Sequence, residues 1–249
     1  MSANHYLPEI TQPEAERILW ERGLVLIPTG SVEQHGPHLP CGTDAFAALA
    51  IGRAVAPRVR GLLVPFGPLG VAPIHLGFAG TLSVKPETFM RLFRDVCLSL
   101  TRHGADKVVV LNWHEGNTPA LRTVAGELQA EGRARFLIVQ VATLASELFG
   151  QHTGLTHGGV IDTLAMLAHE PALVHLERAV NPSPPEAAPA GDAERPGRGA
   201  AYTLIADIRE IAPTGWSGDL AGVTAEKGRA LLAQVADAVV KQVEAVFGP

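Results

Sequence analysis

Short runs of consecutive apolar residues alternate along the chain with stretches whose apolar positions recur at helical spacing. Leu24 to Pro28 (LVLIP), Leu62 to Phe66, Lys107 to Leu111 (KVVVL) and Phe136 to Val141 have strand length and little polar alternation, as strands buried on both faces do. Between them, Ala45 to Val55 and Thr118 to Glu131 read as helices. Pro86 and Glu87 open the clearest helix: proline suits a first turn, an acid meets the positive end of the helix dipole, and Phe89, Leu92, Phe93, Val96 and Leu100 recur on one face. A strand from Tyr202 to Ile208 and a final helix from Thr224 to about Phe247 complete the pattern. This repeated β-loop-α order predicts an α/β fold, a three-layer α/β/α sandwich around a mostly parallel sheet.

Three stretches follow neither period. Thr29 to Asp44 and Gly67 to Ser83 are rich in Gly and Pro, and long loops beside a rigid sheet are where function concentrates. From Asn181 to Ala201 the composition turns to Pro, Ala and Gly, which reads as a surface excursion from a single domain spanning residues 1–249.

Composition narrows the functional classes. Of 249 residues, 47% are hydrophobic and 18% charged, enough apolar material for a sizeable core. Lys and Arg number 20 against 25 Asp and Glu, a net charge of −5, so no basic footprint is present for nucleic acid or an anionic membrane. The N-terminal residues lack the basic-then-apolar layout of a signal peptide, and no run of about 18 uncharged apolar residues occurs, so the expected location is cytoplasmic. Cys41 and Cys97 stand in unrelated contexts and make neither a disulfide framework nor a thiolate metal site; Cys97 reads as a small core residue.

Polar chemistry gathers in three knots near strand ends, roughly where open α/β sheets bind ligands. The first is Glu33-Gln34-His35-Gly36-Pro37-His38 with Asp44 on the same loop. Two carboxylates and an imidazole offer donors suited to Zn²⁺, Mn²⁺ or Fe²⁺, the plain alternative being a hydrogen-bonded turn. The second, Asn112-Trp113-His114-Glu115-Gly116-Asn117, leaves the KVVVL strand, and pairing of the two strands would set His114 beside the first loop. The third, Thr156-His157-Gly158-Gly159-Val160-Ile161-Asp162-Thr163, leads into an apolar helix. Alone, His157 reads as structural; beside the other knots it is a candidate proton carrier.

These segments, with Gly30 to Pro40, Gly42-Thr43-Asp44 and His75 to Ser83, carry a resemblance: over about residues 20–175 the chain is similar to the creatininase family of binuclear-metal amidohydrolases. The resemblance implies two divalent metal ions per chain (Zn, Mn or Fe), one held by Glu33, Asp44 and His114, the other by His35 and a shared Asp44. It implies hydrolysis of a small-molecule amide or lactam by a hydroxide bridging the metals, and a homo-oligomer, often a hexamer. In that frame His157 is the expected acid for the leaving nitrogen, because an unperturbed imidazole titrates near 6.5. Glu115 is the second choice for proton transfer or an additional metal ligand, and His75, Trp113 and Asp162 are expected substrate contacts.

The chain departs from its relatives in places. They commonly read Asn-Gly-His-Gly-Gly-Asn at the second knot, where Trp113 and Glu115 flank His114 here; creatininases proper carry a Glu where Gly116 falls. Many read His-Ala-Gly-Glu-x-Glu-Thr at the third, where Val160 and the shorter Asp162 replace the two Glu. Creatinine is therefore not the expected substrate. Relatives sharing the metal residues keep a peptidase, a formamide deformylase and a lactonase as alternatives, and a non-catalytic metal-binding scaffold is the alternative outside enzymes. Neither Gly30 to Asp44 nor Asn112 to Asn117 contains Lys or Arg, which weighs against a phosphorylated substrate.

Overall fold

Four parallel strands make the centre of the molecule: β1 (Leu24–Thr29), β2 (Leu62–Leu63), β3 (Lys107–Asn112) and β4 (Arg135–Gln140), in the order β2-β1-β3-β4. Register runs from Leu24 opposite Lys107 to Thr29 opposite Asn112, and from Lys107 opposite Arg135 to Asn112 opposite Gln140. The computed structural model describes residues 4–150, 157–183 and 204–249. Most of the Pro-rich excursion, 184–201, lies outside the described residues.

Strand residues alternate between two cores. Leu24, Leu26, Val109 and Leu111 pack with α2 (Thr43–Val55), α6 (Val160–His169) and α7 (Ala225–Phe247). Val25, Ile27, Val108 and Val110 pack on the opposite face with α1 (Gln12–Arg22), α3 (Pro86–Arg102) and α4 (Thr118–Ala130). Helices thus cover both faces, and the three-layer α/β/α sandwich expected from the sequence is the observed fold. Cys97 is a buried residue of α3, its thiol pushed up to about 12 by burial.

Two helices escape the apolar pattern. α1 buries only Ala15, Ile18 and Leu19; a Thr11/Glu14 capping box, Pro13 in its first turn and Gly23 at φ 60° delimit it instead. α5 (Val141–Leu148) begins directly where β4 ends. The strand expected over Tyr202 to Ile208 is corrected: residues 204–207 are irregular, Asp207 caps a 3₁₀ turn at Ile208–Glu210, and positions 202–203 lie outside the described residues. Ile205 and Ile208, spaced at three, pack beside Ile211 and Ala212 against Ile74 and Phe78, a turn's periodicity rather than a strand's.

The topology places a crevice at the strand ends. From β1 the chain crosses through α2 on one face to β2, and from β3 it crosses through α4 on the other to β4. The loops after adjacent β1 and β3 therefore diverge, opening a crevice at the strand ends.

Candidate metal centre

Beyond β1 the chain meets α2 closely: a Cβ on Gly30 would lie 2.5 Å from Ala45 N. This contact brings Asp44, in the first turn of α2, against the loop carrying Ser31, Glu33 and His35, and Ser31 Oγ donates to Asp44 Oδ2 at 2.8 Å. β3 delivers His114 just past its end. Asn117, in the turn that follows, holds the loops together: Nδ2 donates to Gly30 O and Oδ1 accepts from Val71 N, both at 2.9 Å.

Buried carboxylates and imidazoles converge there. His114 Nδ1 stands 3.3 Å from Glu33 Oε1 and 3.2 Å from Asp44 Oδ2, and His35 Nε2 is 2.9 Å from Asp44 Oδ1. His75 Nε2 and His157 Nδ1 approach the same Glu33 Oε1 at 3.5 and 3.7 Å. Potential ligand atoms of Glu33, His35 and Asp44 lie within 4.8 Å of one another, as do those of Glu33, His75 and His157. The structure thus gathers all four residues expected as ligands.

The outer ring nitrogens are anchored on backbone carbonyls. His35 Nδ1 donates to Glu33 O at 3.1 Å, His114 Nε2 to Val71 O at 3.0 Å and His157 Nε2 to Gln34 O at 2.5 Å. A carbonyl can only accept, so each outer nitrogen bears hydrogen and, in the neutral ring, the inner nitrogen is a lone pair facing the carboxylates.

Charge compensates burial within the cluster. Burial disfavours ionised Glu33, yet the His114 and His75 rings outweigh it and hold the carboxyl at about 2. Asp44 is likewise held well below the ordinary range by His35 and His114 against its burial. Burial opposes charge on His35 too, but Asp44 lifts it to about 10, and Glu33 and Asp44 lift His114 well above the usual range. Glu33 Oε2 is buried without a hydrogen-bond partner. Two buried carboxylates, one with an unsatisfied oxygen, facing imidazole nitrogens require positive charge between them, which protons or divalent cations supply. Donors of this chemistry suit zinc and manganese.

Other expected site residues fall at different places. Glu115 opens a 3₁₀ turn and lines a shallow groove with Thr118, Arg122 and Gln140, outside both groups of converging ligand atoms. Buried Trp113 and Asp162 are bonded to each other, Nε1 donating to Oδ1 at 2.9 Å. Sequence reasoning passed over Trp216 and the role of His38. A Cβ on Gly36 or Gly158 would lie within 3 Å of Trp216, both glycines having positive φ. Buried His38, pushed down to about 4 by burial, donates through Nε2 to Gly158 O at 3.0 Å. The signal available was a tryptophan in a Gly215-Trp216-Ser217-Gly218 setting, a site of close backbone packing.

Comparison with known proteins shows the family and the fold. The family model for creatininase, described as creatinine amidohydrolase, matches residues 8–243. A mycofactocin precursor peptide peptidase of Mycobacterium ulcerans (strain Agy99) is 35% identical over 233 residues, 88% of this chain and 84% of that protein. A creatinine amidohydrolase of Pseudomonas putida is 30% identical over 209 residues, 74% of this chain and 79% of that protein. A solved manganese creatininase shares the fold with a TM-score of 0.77 at 22% identity, covering 99% of this chain and 100% of that one. A creatininase variant of the Zn-Zn type gives a TM-score of 0.76 at 22% identity, with 100% of both chains covered. The chain belongs to the creatininase family.

Proposed function

We propose that the protein is a metal-dependent hydrolase of a C–N amide bond in a small, peptide-like molecule. The observation that carries this reading is the set of inward imidazole nitrogens, fixed by Glu33 O and Val71 O, that faces the buried Glu33 and Asp44 carboxylates. Glu33, Asp44 and His114 would hold one divalent ion, and His35 with the shared Asp44 a second. Bound there, such ions supply Lewis-acid activation of water and of the scissile carbonyl. Zinc and manganese, named for the solved relatives, are the first metals to load.

The remaining chemistry belongs to the chain's own groups. With Nε2–H committed to Gln34 O, His157 presents Nδ1 inward, and its ring is 7% exposed. That nitrogen accepts a proton from the attacking water and returns it to the amide nitrogen as the C–N bond breaks, leaving a carboxylic acid and an amine. His75, its ring centroid 4.4 Å from that of His157, borders the same space and contacts the substrate. The carbonyl anchors limit ring rotation, so the groups are set before substrate arrives.

Likeness to a peptide peptidase across 88% of the chain favours a peptide-like amide. The test is a screen of the zinc- or manganese-loaded protein against di-, tri- and tetrapeptides, creatinine, N-formyl amines and lactones. Peptide cleavage that a chelator abolishes supports the reading, and hydrolysis of lactones alone contradicts it. The reading includes a cytoplasmic homo-oligomer, up to a hexamer, which light scattering at micromolar concentration checks.

A further inference from the structure

Trp113 and Asp162, two of the departures from the relatives' pattern, meet in space. Asp162 Oδ1 accepts the Trp113 indole N–H at 2.9 Å, and Oδ2 accepts from Gly158 N at 3.0 Å. Gly158 follows His157, whose Nδ1 faces Glu33 at 3.7 Å, while Trp113 precedes His114. Two further backbone atoms of this turn are tied as well: His157 O accepts from Ser217 N at 3.1 Å and Gly158 O from His38 Nε2 at 3.0 Å. Asp162 thus links Trp113 of the second knot to the His157–Gly158 turn of the third. We infer that Asp162, held by Trp113, is a positioning residue that keeps the His157–Gly158 turn in place and so keeps His157 Nδ1 at the Glu33 carboxylate.

The chemistry requires this pair. A carboxylate offers two acceptor oxygens, whereas an amide offers one, so Asn at 162 cannot hold both donors. A glycine at 113 has no side-chain N–H to offer, and the indole at this position reaches the shorter carboxylate. Because both Asp162 oxygens accept from protein N–H groups in a buried setting, the pair acts on the site through His157 and not by touching substrate.

The inference rests on His157 as the proton carrier, and its test separates the two claims. Crystal structures of the full-length, zinc-loaded wild type and Asp162→Asn are compared. The expected result is His157 displaced from Glu33 by about 1 Å or more, with His35, Asp44 and His114 unmoved and metal content retained. With the tri- or tetrapeptide that the wild type cleaves fastest, kcat falls about 10–100-fold at near-constant KM, part of the general acid-base contribution. In a His157→Asn background the same change has no further effect. An unmoved His157, or an equal loss in both backgrounds, overturns the inference. A wild type inactive on every amide of the screen overturns the hydrolase reading, while the crystallographic comparison still decides the positioning. Should Asp162→Asn not fold, Trp113→Phe, which keeps an aromatic ring and loses one donor, carries the same comparison.

Discussion

Asn117 donates through Nδ2 to Gly30 O at 2.9 Å, joining the turn after β3 to the loop after β1 where the two strands part. Its Oδ1 accepts from Val71 N, and Val71 O in turn anchors His114. Asn117→Ala leaves two buried backbone groups without partners, at a cost of about 1–3 kcal/mol each. Loss of the support behind His114 should also weaken zinc binding about 10–100-fold. Denaturant unfolding of the metal-free protein and zinc titration check the two effects, and an unchanged unfolding midpoint would contradict this role for Asn117.

Asp44 faces both His35 and His114, through different oxygens. Asp44→Ala is therefore predicted to abolish binding of both ions, and His35→Ala to abolish mainly one. Elemental analysis after reconstitution reads the stoichiometry. Equal metal loss in the two variants would mean that Asp44 does not bridge.

The charge balance at His35 makes a prediction about protons. In the metal-free protein Asp44 holds the His35 ring protonated up to about pH 10, and a ring must be deprotonated to ligate. Zinc binding at pH 7 should release protons, and zinc affinity should keep rising with pH beyond the ordinary imidazole range. Calorimetry in buffers of different ionisation enthalpy measures the release. Binding without it would show that His35 is neutral before the metal arrives.

Much of this was legible in the chain. Strands buried on both faces are continuous apolar runs, so β1, β3 and β4 stood out, and the knots near their ends already suggested that Glu33 and His114 meet. α1 did not stand out, because its buried stripe of Ala15, Ile18 and Leu19 is thin and Trp20 between them and the C-terminus of the helix is 91% exposed. Leu204, Ile205 and Ile208 suggested a strand on composition, though Ile205 and Ile208 are spaced for a turn. The carbonyls of Glu33, Val71 and Gln34 that orient the rings belong to the backbone, and no side-chain pattern announces them. Trp113 and Asp162 lie 49 positions apart, and only the fold makes them partners.

His157 separates proton transfer from structural support. His157→Asn should retain fold and metal yet lower kcat on a peptide by roughly 10²–10⁴. A matching 4-nitroanilide, whose leaving group needs less protonation, should lose much less. Equal losses on the two substrates, or a metal-depleted variant, would make His157 structural.

The Glu33, His35, Asp44 and His114 cluster is predicted to hydrolyse amides only when loaded with divalent metal. The most direct measurement follows metal content and peptide turnover in one sample through chelation and stepwise zinc or manganese return. Turnover is predicted to disappear with the metal and to return in proportion to the ions bound. Undiminished turnover in protein shown to be metal-free would contradict this.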